Sequence, residues 1–119
     1  MANKKLSLSK EGKDLLEQAV VSLDLERALV IKMALAKGLS YKDDFEFDTS
    51  SSPKWTIPDI IKNNEYLMFK HLIISKSKQP LEDEYVQSQM QYYIEKGIRV
   101  IGQELDNKNS LEDSRFVII

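Results

Sequence analysis

The stretch Glu26-Arg27-Ala28-Leu29-Val30-Ile31-Lys32-Met33-Ala34-Leu35-Ala36-Lys37 constrains the fold of this chain more than any other. It is rich in strong helix formers, and its apolar side chains fall nearly all the way round a 3.6-residue turn. Such a helix has to be covered on most of its sides. In a chain of 119 residues one layer of neighbours is thin cover, so the helix is expected at the centre of the fold or against another subunit. Asp24 is placed to cap its start, and Gly38 to end it as a left-handed C′ residue, which predicts a helix over 25–37.

The segments on either side follow from spacing. Lys5-Leu6-Ser7-Leu8-Ser9 alternates polar and apolar residues and reads as a short strand or arm. Ser9 then caps a helix to about Ser22, with Leu15, Leu16, Ala19, Val20 and Leu23 on one stripe and the pairs Lys10/Asp14 and Lys13/Glu17 on the other side. Residues 40–56 change character and read as the long loop, with room for a short strand; Phe45 and Phe47 are expected to tuck in while the acids around them face out. A helical turn from Ile57 and a helix from Asn64 to Ser75 follow. A last helix runs from about Glu82 to Leu105, about 35 Å, and is expected to stop at Asp106-Asn107-Lys108-Asn109 before an apolar tail, Phe116-Val117-Ile118-Ile119, that docks.

The expected fold is therefore mainly α: one small domain, 1–119, of four to five helices with a short N-terminal strand or arm. Its parts are the arm and two helices (1–40), a loop (41–57), two long helices (58–105) and a tail (106–119). The apolar content of 42% and charged content of 30%, with four glycines and three prolines, suit a helix-rich globule.

The same composition narrows the chemistry. Without cysteine there is no disulfide framework, thiol nucleophile or Cys-based zinc site, which fits a reducing cytosol. The first residues lead into only Leu6 and Leu8, not the apolar run of a signal peptide, and nothing approaches a membrane span. His71 is the sole histidine and reads as a packed or half-exposed helical residue. The acids Asp43, Asp44, Glu46 and Asp48 lack the glycine and terminal glutamate of an EF-hand loop, and Ser50-Ser51-Ser52 lacks the glycines of a nucleophile elbow. No catalytic residue, metal ligand or cofactor site is expected, and the chain is expected to act by binding.

Charge suggests to what. The net charge is −2, but residues 1–42 hold eight basic residues against five acidic ones, +3, which leaves −5 for 43–119. That permits a basic face. Lys10 and Lys13 have local acids; Lys4, Lys5, Arg27, Lys32 and Lys37 have fewer, and are the candidate phosphate contacts. Lys32 interrupts an otherwise apolar helix, either to snorkel its ammonium outward or to meet an anion across an interface.

An alternating arm, a capped helix, a short turn and a second apolar helix follow the order of ribbon-helix-helix DNA-binding proteins. Two stretches add to this: residues 6–12 through 32–40, and Tyr93-Ile94-Glu95-Lys96-Gly97-Ile98. Together they resemble the DNA sulfur modification protein DndE family. Lys32 and Ala34 match the family's Arg-x-Ala, with Gly38-Leu39 where it has Ser-Leu. Ile94, Lys96 and Gly97 match its His-Ile-x-Arg-Gly, with Tyr93 in place of His; its Thr-Leu-x-Gly-Glu motif is only echoed by Thr56-Ile57 and Glu65-Tyr66.

The resemblance implies a bacterial cytoplasmic subunit, without cofactor, that forms a homotetramer and binds duplex DNA at nicks through lysines. It would accompany proteins that place sulfur in the DNA backbone: a cysteine desulfurase, an iron-sulfur sulfurtransferase and an ATPase. The expected function is thus a non-catalytic DNA-binding or scaffold subunit of DNA phosphorothioation. A ribbon-helix-helix repressor or antitoxin, with Lys5, Ser7 and Ser9 reading the major groove, and a protein-interaction adaptor without DNA binding are the alternatives.

Overall fold

The computed structural model describes residues 6–43, 45–78 and 82–118, with side chains as far as residue 107. The described chain is mainly helical. Its elements are β1 (Ser7–Leu8), α1 (Lys10–Leu23), α2 (Arg27–Ser40), β2 (Trp55–Thr56), α3 (Asn63–Ser77) and α4 (Asp83–Ile118). The two strands form a small antiparallel ribbon with Ser7 opposite Thr56 and Leu8 opposite Trp55. The Ile57 amide extends it by donating to the Leu6 carbonyl at 2.7 Å.

Ser9 starts α1 as expected: its hydroxyl accepts the Gly12 amide at 3.0 Å and satisfies one donor that a helix start leaves open. Asp24 ends that helix and does not begin the next. It sits in the left-handed region at φ 54° and ψ 47°, with its amide bonded to the Val20 carbonyl. A short polar side chain tolerates this conformation better than an apolar one. Glu26 takes the N-cap position of α2 with no side-chain capping bond.

Gly38 corrects a second expectation. It lies inside α2, which continues to Ser40, and its φ is not positive. Its smallness serves packing: a Cβ at Gly38 would run into the Tyr93 carbonyl oxygen of α4, and one at Gly97 into the carbonyl oxygen of Ala34. The two helices therefore cross with backbone nearly touching backbone.

A third correction concerns α4, which does not stop at Asp106–Asn109 but runs its 36 residues to Ile118. At 1.5 Å per residue that is about 54 Å, which matches the longest dimension of the molecule, 55 Å. Asn and Asp weaken a helix by only tenths of a kcal/mol each, too little to break one that is already propagating. The expected docking of the tail's side chains falls outside the described residues.

The core lies around the middle of α4. Val86, Met90, Ile94, Ile98 and Ile101 meet Leu16 and Ala19 of α1, Val30, Ile31, Ala34 and Leu35 of α2, Phe69 and Ile73 of α3, and Leu6, Leu8 and Ile57 of the ribbon. Every residue from Tyr93 to Ile101 is buried. No helix among the described residues is long and apolar enough to cross a membrane.

Candidate functional site

Three charged side chains lie within that buried stretch: Glu95, Lys96 and Arg99, exposed by 3%, 0% and 8%. Glu95 and Arg99 are one helical turn apart, so their side chains meet, and the Arg99 Nη1 donates to Glu95 Oε1 at 2.9 Å. The other Glu95 contacts come from the arm. The Ser9 amide donates to Oε2 at 3.0 Å and the Ser9 hydroxyl to Oε1 at 3.2 Å. A Cβ at Gly12 would occupy the place of Oε1. Arg99 also holds the central loop, donating through Nη2 to the Asp48 carbonyl at 3.0 Å, while its guanidinium lies 4.7 Å from the Phe47 ring centre.

Lys96 reaches the same loop from the other side. Its Nζ donates to the Tyr41 carbonyl at 3.3 Å and stands 5.8 Å from the ring centres of both Tyr41 and Tyr93. Tyr41, Phe45, Phe47 and Tyr92 form a chain of rings over this region, Phe47 stacked on Tyr92 at 5.5 Å. Phe45 and Phe47 are half-buried and Glu46 and Asp48 exposed, as their alternation predicts. A shallow open groove of about 570 Å³ runs past Phe45, Phe47, Thr49 and Tyr92.

This buried cluster is fully hydrogen-bonded and ties the arm and the central loop to α4. No described buried side-chain nitrogen or oxygen lacks a hydrogen-bond partner. With three donors on Glu95 and its own donors already placed on three acceptors, Arg99 and its partner are held in one geometry. Among the described residues, no group of three or more His, Cys, Asp or Glu could hold a metal ion.

The candidate phosphate contacts lie elsewhere. Lys4 and Lys5 fall outside the described residues. Arg27 makes a two-pronged pair with Glu17, Nε to Oε1 at 2.8 Å and Nη2 to Oε2 at 3.2 Å. Lys32 pairs with Glu65 at 3.0 Å and Lys37 with Glu104 at 2.6 Å. The structure thus supplies each of these three with a carboxylate that the sequence hides, because the partners come from other helices.

The three pairs are not equivalent. Glu17 also receives Lys13 at 3.1 Å, so two cations share one acid. The hydrogen bonds from Arg27, and then the Lys13 contact, hold the Glu17 carboxyl below its usual range and raise Arg27 in return. Both cations flank Trp55 of β2, Lys13 Nζ at 4.9 Å and the Arg27 guanidinium at 5.7 Å from the ring centre. This is the patch where a net positive charge adjoins an aromatic ring. Sequence reasoning singled out Arg27 but not Trp55, whose only signal was being the sole tryptophan.

These features define a class of molecule: a small helical domain on a two-strand ribbon, held by a buried Ser-Glu-Arg cluster, with a modest cationic patch on the ribbon side. Comparison with protein-family models, curated proteins and solved structures finds no match.

Proposed function

We propose that this chain is a non-catalytic DNA-binding or scaffold subunit of a DNA sulfur modification system, working as a homo-oligomer on nicked duplex DNA. The observation that carries the reading is where the two stretches resembling the DndE family lie. They pack on each other, Ala34 against Gly97 and Gly38 against Tyr93. Small residues at two distant places in the chain that answer to one helix crossing are what a shared fold asks of a sequence.

Within this reading the DNA contacts are unequal. Arg27, which shares its acid with Lys13 beside Trp55, offers phosphate a net charge and a stacking surface. Lys32 and Lys37 are matched one to one by Glu65 and Glu104 and have to leave them before meeting a phosphate. If Lys4, Lys5 and Arg27 neutralise three phosphates, log K against log salt has a slope of about −3. Anisotropy of a labelled nicked duplex across a salt series measures it. A flat salt dependence, or unchanged affinity after Lys4→Ala, Lys5→Ala and Arg27→Ala together, rejects the reading.

The repressor alternative loses ground because the residues it needs are engaged: β1 pairs with β2 of the same chain, and Ser7 and Ser9 bond Gln91 and Glu95. The adaptor alternative is favoured by the exposed apolar residues of α2 and α3. It predicts oligomers with no gel shift at low salt.

A further inference from the structure

The side of α2 away from α4 carries Glu26, Leu29, Met33 and Ala36 at helical spacing, all exposed. On α3, Met68 and Leu72 follow Glu65 at three and seven residues and share its side; they are 51% and 48% exposed. The Lys32–Glu65 pair at 3.0 Å joins the two helices, so the two apolar stripes border one surface. An α3 with just Phe69 and Ile73 buried is apolar on a side that its own chain leaves open.

The charges on this surface identify its occupant. Its middle holds Lys32 and Glu65, which cancel. Glu26 stands at the start of the α2 stripe with neither a capping bond nor an ion pair among the described residues. Lys76 stands at the end of the α3 stripe, one turn past Leu72, exposed and without an ion pair among the described residues. A polyanion or an acidic lipid surface gains no net attraction here, because the Lys32–Glu65 pair is neutral and Glu26 offsets Lys76. A surface that ends in an unmatched acid on one helix and an unmatched base on the other complements itself.

We propose that α2 and α3 form the face through which two copies of this chain associate about a two-fold axis. Leu29, Met33, Met68 and Leu72 lie at its centre, and Glu26 of each copy meets Lys76 of the other at its rim. A two-fold contact needs a self-complementary patch, and laying α2 of one copy along α3 of the other uses each charge once. Four half-exposed side chains supply a few hundred Å² of apolar surface, the centre of an interface that takes roughly 800 Å² per partner. The inference rests on the homo-oligomer in the proposed function and not on its DNA binding.

Sedimentation and light scattering of the full chain over a concentration series test it. The expected mass is at least twice the 13.7 kDa of one chain, falling to one chain in the Met33→Glu and Leu72→Glu variant with the helical circular dichroism unchanged. Glu26→Lys or Lys76→Glu alone is expected to weaken association roughly tenfold, and the two together to restore it. The proposal is overturned by a wild-type protein that stays monomeric throughout, by a folded Met33→Glu and Leu72→Glu variant that keeps its mass, or by a double charge swap no better than either single one. A chain that associates but ignores nicked DNA removes only the DNA reading; a monomer that binds it removes this interface and the homo-oligomer, and leaves the DNA binding standing.

Discussion

Helix α2 and the middle of α4 have exchanged the environments their compositions suggest. The α2 sequence is apolar nearly all round, yet one side of it, with Leu29 and Met33, faces solvent. The stretch Tyr93–Ile101 carries Glu95, Lys96 and Arg99 and is enclosed on every side. What separates them is the supply of partners. Charges can be enclosed where the arm and the loop bring Ser9, Asp48 and Tyr41 to bond them. The outer side of α2 has no such neighbours, because α1 and α3 flank α4 as well and leave it bare. Apolarity therefore marks where cover is wanted, and hydrogen bonding decides where cover is delivered.

Changes aimed at either side of this contrast differ in size. The largest effect is expected from Glu95→Ala, which leaves the buried Arg99 only the more distant, exposed carboxylate of Glu11 at 3.8 Å and Ser9 without its acceptor. A loss of about 3–5 kcal/mol is the scale for breaking a buried pair, and denaturant unfolding reads it. If the loss stays below about 1 kcal/mol, the range of exposed pairs, the enclosed charges contribute little to stability.

Gly97→Ala comes next. The added carbon meets backbone at Ala34, which cannot rotate away, so the helices must part; overpacking of this kind costs about 1–3 kcal/mol. Gly102→Ala in the same helix is the control, because its Cβ would find only ordinary contact with Leu15. Equal effects at both positions would mean that the close crossing is not what Gly97 serves.

The smallest effect belongs to the outer side of α2. The Lys62 amide and then Lys32 hold the Glu65 carboxyl below its usual range. A carboxyl lowered in the folded state contributes stability above its unfolded value and loses it as pH falls through the folded one. Lys32→Met is therefore expected to lower the melting temperature slightly at neutral pH and to match the wild type once the pH lies below that range. A difference that persists in acid would locate the effect in the Lys32 stem and not in its charge.

Much of this architecture is legible in the sequence. The Ser9 cap, the α1 stripe, the inward Phe45 and Phe47 and the long last helix all follow from local spacing. Asp24 and Gly38 depart from expectation because each residue type serves two ends: Asp caps a start or tolerates a left-handed finish, and Gly ends a helix or lets two meet. Only the partner helix distinguishes these uses.

The charges were hidden for a related reason. Arg27 and Glu17, Lys32 and Glu65, and Lys37 and Glu104 are brought together by tertiary packing, beyond the reach of an i,i+4 search. Glu95 and Arg99 do have that spacing, and the signal for the buried cluster was present in the late helix. Their burial was not, since nothing local says that residue 9 returns to residue 95.

The crossing of Ala34 with Gly97 also has an order in time. As the chain is synthesised from its N-terminus, α2 is complete long before its mate exists, and at about 5–20 residues per second the interval is several seconds. During that interval the inner stripe of Val30, Ile31 and Leu35 waits beside the outer one, and α2 is briefly as bare as its sequence is apolar. A nascent chain of this design is most open to ribosome-associated chaperones between the emergence of α2 and that of Ile101.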